Sequence, residues 1–220
     1  MITAVNKKFN LITSPLSGGK TITLLNMANK SLDDKGIVVI VTLDNNVTLI
    51  KKSIHCLYND ANLISIKHES DDKTPIGLEL PNNLSIIDGV YDIESIQANI
   101  RELTLGDKPS IILIDTINFI TNFSDKSYKE KMESIFLELD GMAQRFDCPV
   151  VGTMTVLGVS DFKEDFYKLS DTNCFKINRI SETKYEVVDL HSKKKSLYSY
   201  SFKDNRLQEV DQEAYQEIYD

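Results

Sequence analysis

Two runs of consecutive aliphatic residues constrain the fold of this chain more than any other feature of its sequence. Residues 37–41 read Ile-Val-Val-Ile-Val, and residues 111–114 read Ile-Ile-Leu-Ile. A strand with one solvated face alternates apolar and polar residues, whereas a strand covered by helices on both faces is apolar throughout. The two runs therefore predict buried parallel strands that have helices above and below them.

Further apolar runs alternate with longer helical patterns along the chain. Strands are predicted at residues 9–13, 36–43, 63–66, 84–87, 110–114 and 149–155. Helices are predicted at residues 21–30, 46–58, 93–103 and 126–146, where apolar residues recur at helical spacing. The polar segment 67–83 contains prolines and is predicted to be a surface loop. This alternation predicts an α/β fold in which helices flank a mostly parallel central sheet.

The pattern changes near residue 174. Strand-like segments at residues 174–180, 184–190 and 197–202 are joined by short polar turns, which is typical of antiparallel strands. We expect them to extend the same sheet, so that residues 1–205 form one domain. Residues 206–220 are set apart as an acidic C-terminal tail or short helix. Apolar residues at 210, 214 and 218 would let such a helix dock on the core or on a partner, and a frayed terminus is the alternative.

The composition of the chain argues against several classes of protein. The chain has 220 residues, 41% of them hydrophobic, which is enough for one large domain. Its 33 acidic and 25 basic residues give a net charge of −8, so strong autonomous DNA binding is not expected. No run approaches the roughly 18 apolar residues of a membrane helix, and we expect a cytoplasmic protein with no membrane partner. The three cysteines are far apart and predict neither a disulfide framework nor a zinc site.

A phosphate-binding motif lies between the first predicted strand and the first predicted helix. The segment matches the pattern G-x-x-x-x-G-K-[ST] except at its first position, where serine replaces glycine. In such a loop, backbone N–H groups surround the β-phosphate, the lysine contacts the β- and γ-phosphates, and the hydroxyl binds Mg²⁺. The serine is tolerable only if the backbone there does not need a positive φ. The candidate ATP-binding residues are Ser14, Pro15, Leu16, Ser17, Gly18, Gly19, Lys20 and Thr21.

A carboxylate follows the second aliphatic run. Asp115 comes directly after residues 111–114, so it would lie at the end of a buried strand next to the phosphate loop. A phosphate loop needs such a carboxylate to hold the water shell of Mg²⁺. Thr21 and Asp115 are therefore the candidate Mg²⁺ residues. The alternatives are an ordinary glycine-rich turn at the loop and a turn-forming aspartate at the end of the strand.

Together these motifs resemble the ATPase core of DnaB-type replicative helicases and their phage and plasmid relatives, which has the RecA fold. In that family the strand after the phosphate loop ends in Ser-Leu-Glu, and residues 42–44 here read Thr-Leu-Asp. The family's second carboxylate strand continues as aspartate, tyrosine, leucine and an apolar pair, which residues 115–120 follow in outline as Asp-Thr-Ile-Asn-Phe-Ile. A later strand begins with Pro-Val and ends in a γ-phosphate-sensing glutamine, and residues 149–155 read Pro-Val-Val-Gly-Thr-Met-Thr.

The resemblance implies catalytic roles for Lys20, Asp44 and Thr155. The last two are shorter than the family's glutamate and glutamine, so we expect weakened turnover and retained nucleotide binding. A turn residue next to a helix cap is the alternative for Asp44. The resemblance also implies a basic finger that reaches the nucleotide of the neighbouring subunit. The candidates are Lys193, Lys194 and Lys195 on the last predicted turn, with Arg179 in reserve; a solvated turn is the alternative.

Two functions stay open on the sequence. The first is an ATP hydrolase that works as a homo-oligomeric ring or filament and remodels single-stranded DNA in replication or recombination. The second is a catalytically weak nucleotide-binding accessory, or helicase-loading factor, that acts through other replication or recombination proteins. The phosphate loop begins at residue 14, so we expect the chain to lack the N-terminal domain and linker with which replicative helicases hold their hexamer.

Overall fold

The computed structural model describes residues 4, 7–44, 47–59, 78–156, 172–201, 203 and 205–210. Within these residues, nine strands form one sheet. The strands are β1 (Phe9–Ser14), β2 (Val38–Thr42), β3 (Leu84–Asp88), β4 (Ile111–Asp115), β5 (Val150–Thr155), β6 (Asn173–Arg179), β7 (Lys184–Asp189), β8 (Lys195–Ser201) and β9 (Arg206–Val210). Their order in the sheet is β3-β2-β4-β5-β1-β6-β7-β8-β9.

Four helices accompany the sheet in the described part of the chain. They are α1 (Lys20–Asp33), α2 (Val47–Tyr58), α3 (Ile93–Leu103) and α4 (Tyr128–Phe146), and a short 3₁₀ turn covers Ile117–Phe119. All four were predicted, and their observed ends differ from the predicted ends by a few residues at most. None of the described helices has the length and hydropathy needed to cross a membrane. The predicted strand at residues 63–66 and most of the predicted loop lie outside the described residues.

The first six strands of the sheet order run parallel. β1 lies between β5 and β6, and Leu11 stands opposite both Gly152 and Cys174. β2 lies between β3 and β4 in the same way. The antiparallel part begins one strand later than predicted, because β6 is parallel to β1 and only β7, β8 and β9 alternate in direction. The predicted α/β fold with an antiparallel extension is confirmed.

Helices cover both faces of the parallel strands. On one face, Ile96 of α3 and Leu139 of α4 belong to the same apolar cluster as Ile112 of β4. On the other face, Leu24 of α1 packs in the cluster that contains Leu113 of β4. Neighbouring residues of one strand thus face opposite clusters, which explains why the aliphatic runs are continuous. Each fully buried leucine or isoleucine contributes about 1.5–3 kcal/mol to folding.

The C-terminal strand corrects the predicted tail. Residues 206–210 form β9, which pairs antiparallel with β8, so the predicted boundary between residues 205 and 206 cuts through the sheet. Asn26 of α1 explains the position of β9, because its side-chain amide donates to the Asn205 carbonyl at 3.1 Å and accepts from the Leu207 N–H at 3.0 Å. The acidic tail or helix predicted from residue 206 is therefore wrong for residues 206–210. Residues 211–220 lie outside the described part of the chain.

Candidate functional site

A cavity of about 440 Å³ lies where the parallel strands end. The phosphate-binding motif lines it between β1 and α1. Residues predicted from distant parts of the sequence line the same cavity, namely Asp44, Asp115, Thr155 and Arg179. Crevices at the carboxyl ends of parallel strands are the usual ligand sites of open α/β sheets. The structure thus brings most of the predicted site residues together, and their roles stay predictions.

The loop leads into the N-terminus of α1 without a side-chain cap. Gly19 has a φ of 91°, in the left-handed region that favours glycine, and α1 begins at Lys20. No side chain caps the first turn, and the first turn carries no acidic residue. The first N–H groups of a helix have no intrahelical acceptor and carry a partial positive charge. This arrangement is suited to an anionic group such as a phosphate.

Lys20 is held at the base of the loop. Its side chain is buried, with 8% exposed, and its Nζ donates to Ser14 Oγ at 3.2 Å and to the Pro15 carbonyl at 3.1 Å. Burial lowers the pKa of Lys20, and the negative charges of Asp115 and Asp44 act in the opposite direction. The residue therefore places a cationic group inside the cavity, next to the start of α1.

Asp115 is the buried carboxylate of the site, with 2% of its surface exposed. It accepts hydrogen bonds from Thr21 Oγ1 at 2.6 Å and from Thr153 Oγ1 at 2.5 Å. Burial raises the pKa of Asp115, and the hydrogen bonds from Thr153 and Thr21 oppose that rise, as does the charge of Lys20. The predicted pair of Thr21 and Asp115 is thus in direct contact.

The donor set at this position fits Mg²⁺. Thr21 and Asp115 offer only oxygen atoms, which Mg²⁺ prefers, and they adjoin a loop suited to phosphate. No cluster of three or more His, Cys, Asp or Glu side chains in the described residues could hold a metal ion. Mg²⁺ commonly takes one or two protein ligands and completes its shell with water and substrate phosphates. The site therefore fits a metal that arrives with a nucleotide.

Asp44 is exposed and lies at the edge of the cavity, just after β2. The preceding residue is fixed to β4, because the Leu43 N–H donates to the Asp115 carbonyl oxygen at 2.6 Å. The charge of Asp44 also reaches Lys20 and Asp115. The backbone thus holds Asp44 beside the two charged residues at the centre of the site. Residues 45 and 46, on which the helix-cap alternative depends, lie outside the described residues.

Thr155 ends β5, and Asn118 holds its backbone. The Thr155 N–H donates to Asn118 Oδ1 at 2.8 Å, and Asn118 Nδ2 donates to the Thr155 carbonyl at 3.2 Å. Asn118 belongs to the 3₁₀ turn that follows β4. The sequence did not predict a role for Asn118, nor the contact of Thr153 with Asp115. Both depend on the pairing of β4 with β5, which no local pattern reveals.

Two tyrosines from the antiparallel strands close one side of the cavity. Tyr185 packs against the phosphate loop so tightly that a Cβ atom on Gly19 would lie 2.7 Å from its Cε1. Tyr200 meets Tyr185 edge to face, with the ring centroids 6.3 Å apart, and donates from its hydroxyl to Asn205 Oδ1 at 2.5 Å. Neither tyrosine was predicted. Each tyrosine lies between polar residues of its strand, a pattern that predicts a buried side chain. The pattern does not show that this side of the sheet adjoins the phosphate loop.

The predicted finger residues fall into two groups. Arg179 lines the cavity of its own chain, so its positive charge lies beside that chain's phosphate loop. This position does not support the predicted role of Arg179 at the nucleotide of a neighbouring subunit. The turn that carries the lysines lies at the opposite end of β7, because Asp189 pairs with the start of β6 and Tyr185 pairs with Arg179. Lys195 makes a 3.1 Å ion pair with the buried Glu186. The lysine turn therefore does not line the cavity of the same chain.

Comparison with solved structures identifies the fold. One solved ATPase domain is similar, with a TM-score of 0.74 and 17% identity over 93% of this chain and 85% of that one. A structure of a DnaB-like replicative helicase, reported with its interactions with primase, has a TM-score of 0.73 and 16% identity over 94% of this chain. This chain spans 59% of the length of that helicase. No protein family and no curated protein matches the sequence. The chain thus has the RecA-like fold of DnaB-type ATPase domains.

Proposed function

We propose that the chain binds ATP with Mg²⁺ and hydrolyses it, as a RecA-fold ATPase of the DnaB-helicase type in DNA replication or recombination. One observation carries the proposal: Lys20, Thr21 and Asp115 meet at the uncapped N-terminus of α1, inside a cavity of about 440 Å³. A cation, a hydroxyl and a buried carboxylate in this arrangement suit a nucleotide triphosphate and its metal. The RecA-like fold supports the same ligand.

We propose a role for each group from its position in the cavity. The loop and the N-terminus of α1 surround the β-phosphate, and Lys20 contacts the β- and γ-phosphates. Thr21 and Asp115 would hold Mg²⁺, which when bound would neutralise negative charge on the phosphates. Tyr185 and Tyr200 offer aromatic surface on the side formed by the antiparallel strands. Arg179 adds a positive charge from the same chain.

Hydrolysis needs a group that orients the attacking water. Asp44 is the exposed carboxylate at the cavity, and Thr155 stands at the end of β5. Both are shorter than the glutamate and glutamine implied by the resemblance. Because phosphoryl transfer is catalysed mainly by positioning and charge, the shorter side chains lower turnover more than they lower affinity. We therefore propose slow hydrolysis and intact binding.

The Lys20→Ala variant tests the nucleotide site. We expect its affinity for a fluorescent, non-hydrolysable ATP analogue to fall at least tenfold, which corresponds to about 1.4 kcal/mol. The circular dichroism spectrum should not change, because the hydrogen bonds of the lysine ammonium go to Ser14 Oγ and the Pro15 carbonyl and are not part of the helix or of the sheet pairing. Lys126→Ala is the control, since Lys126 lies at an exposed position outside the cavity. Equal affinity of the Lys20→Ala variant and the wild type would contradict the proposal.

We also propose assembly into a homo-oligomeric ring or filament, with single-stranded DNA and other replication proteins as partners. The position of the lysine turn supports this, because Lys193 and Lys194 are exposed and lie away from their own chain's cavity. A contact between unlike surfaces of two copies builds either a ring or a filament. The primase interactions named for the DnaB-like helicase support a replication partner.

A mixing experiment tests action between subunits. Lys20→Ala protein and protein with Lys193, Lys194 and Lys195 all changed to alanine should each lose ATPase activity, and their mixture should regain part of it. Activity would return where an intact site meets an intact lysine turn. If the triple variant hydrolyses ATP as fast as wild type, or if the wild type stays monomeric with ATP and single-stranded DNA, the assembly proposal fails.

The second candidate is a nucleotide-binding accessory or helicase-loading factor without useful turnover. The short side chains at Asp44 and Thr155 and the net charge of −8 favour it. An ATPase assay with and without single-stranded DNA separates the two candidates. Binding of the ATP analogue without measurable hydrolysis in either condition would establish the accessory.

A further inference from the structure

Ser14 occupies the position at which the usual phosphate loop has glycine. It is the last residue of β1 and is 1% exposed. Because it keeps a strand conformation, its side chain adds no backbone strain. The side chain lies directly under Gly18, where an added Cβ would be 2.3 Å from Ser14 Oγ and 2.6 Å from Ser14 Cβ. The serine therefore fits only because residue 18 has no side chain.

The Ser14 hydroxyl lies at the centre of a small polar cluster. It accepts a hydrogen bond from Lys20 Nζ at 3.2 Å and donates one to the Pro15 carbonyl oxygen at 2.9 Å. Lys20 Nζ also donates to that carbonyl oxygen, at 3.1 Å. With glycine at position 14, the ammonium group would keep one of these two acceptors and lose the other.

The ammonium group needs these acceptors because it is buried. Removing a cation from water is unfavourable unless it is hydrogen-bonded or paired. The charges of Asp115 and Asp44 favour the cation, but the two loop oxygens are the acceptors within hydrogen-bond distance of its Nζ among the described residues. An ammonium group has three N–H bonds, so two loop acceptors leave one N–H, which the β- and γ-phosphate oxygens would share.

We propose that Ser14 is a positioning residue of the nucleotide site, whose hydroxyl holds the Lys20 ammonium group at the base of the loop and directs its remaining N–H towards the phosphates. The inference rests on the proposed ATP site. The serine that replaces the usual glycine would thus act on the nucleotide through Lys20. It can occupy this position only if residue 18 is glycine.

The first measurement is the affinity of a fluorescent, non-hydrolysable ATP analogue. We expect Ser14→Ala to weaken binding about fivefold to tenfold, because a hydrogen bond to a charged group is lost. Ser134→Ala is the matched control, since Ser134 also accepts from a lysine, Lys126 Nζ at 2.8 Å, but on the exposed surface of α4. The control should stay within twofold of the wild type. Unchanged affinity of Ser14→Ala would overturn the inference.

The second measurement separates the contact with Lys20 from simple packing. Without nucleotide, Ser14→Ala should lower the melting temperature by about 2–4 °C in the wild-type background. In the Lys20→Met background the loss should be less than half as large, because no cation needs the hydroxyl. Equal losses in both backgrounds would show that Ser14 only fills space under Gly18, and would overturn the inference.

Two controls keep the outcomes distinct. If Ser14→Ala does not fold, Ser14→Gly replaces it with the same expectations, because glycine is the residue of the usual pattern. If Lys20→Ala binds the analogue as tightly as the wild type does, the proposed nucleotide site is wrong. If Lys20→Ala loses binding but Ser14→Ala does not, the nucleotide site stands and only the role of Ser14 fails.

Discussion

Replacing Thr153 by valine tests how the buried carboxylate is supported. Thr153 is fully buried on β5, and its hydroxyl donates to Asp115 Oδ1 at 2.5 Å. Valine keeps the branched shape that suits a strand, so the change removes a hydrogen bond without opening a cavity. Asp115 would then keep the hydrogen bond from Thr21 Oγ1 at 2.6 Å.

The expected loss of stability follows from two opposing terms. A hydrogen bond to a charged group contributes about 1.5–3 kcal/mol. Burial of the methyl group that replaces the hydroxyl stabilises the folded state by about 0.8 kcal/mol. The net loss is about 1–2 kcal/mol, which lowers the melting temperature by about 2–8 °C for a domain of this size. Because the Thr153 hydrogen bond opposes the rise in the pKa of Asp115, we expect its loss to raise that pKa further and to weaken the proposed binding of Mg²⁺.

Thermal unfolding and a Mg²⁺ titration of ATP-analogue binding measure the two effects. Thr104→Val is the control, because Thr104 is also buried but donates to a neutral acceptor, the Ile100 carbonyl, at 2.9 Å. It should lower the melting temperature less and leave the Mg²⁺ dependence unchanged. In the Asp115→Asn background, Thr153→Val should have a smaller effect, because the acceptor is neutral. A melting temperature of Thr153→Val within about 1 °C of the wild type would refute the reasoning.

Two further predictions concern residues outside this pair. Asp44→Glu should raise ATP turnover and Asp44→Asn should lower it, because the longer carboxylate reaches further towards the attacking water; rates within twofold for both would show that Asp44 does not orient that water. Asp92 caps α3 by accepting from the Ser95 N–H at 2.8 Å, and this hydrogen bond lowers the pKa of Asp92 below its ordinary 3.8. The folded pKa is depressed, so the stabilisation is complete above pH 3.8 and is lost as the pH falls through the lowered value. Asp92→Ala should therefore lower the melting temperature at neutral pH but not in acid, and an equal difference at both would contradict the assignment.

The fold was largely predictable because its signals are local. The aliphatic runs identified β2 and β4 as strands buried on both faces, and the apolar spacing of 126–146 identified α4. The start of α4 is set by a side-chain detail: Ser127 caps the helix, and Glu130 reaches back to the Ser127 N–H at 3.1 Å. The β9 strand was missed because residues 206–210 are too few to distinguish alternation from helical spacing. Its place depends on Asn26, which is far away in sequence.

The sequence predicted which segments supply the site, including the distant residues Asp44, Asp115 and Thr155, but it did not predict most contacts between those segments. The loop and Lys20 follow one another, so their pattern is visible without a structure. Thr153 reaches Asp115 because β4 pairs with β5, with Ile114 opposite Gly152. Neither segment's sequence reveals that the two strands are neighbours in the sheet. The position of Arg179 was also not predictable, because this residue lines its own chain's cavity only as a result of the pairing of β6 with β1.

The hydrogen bonds between α1 and β9 join segments that are synthesised far apart in time. The two hydrogen-bond partners of the Asn26 side chain follow it in the sequence by 179 and 181 residues. The ribosome therefore releases the phosphate loop long before the strands that pack beside it. A nascent chain that ends before residue 185 lacks both tyrosines that line the cavity, so the cavity is incomplete until the antiparallel strands have been made. Until β9 has been made, the incomplete domain therefore depends on the apolar clusters that its earlier strands and helices can form.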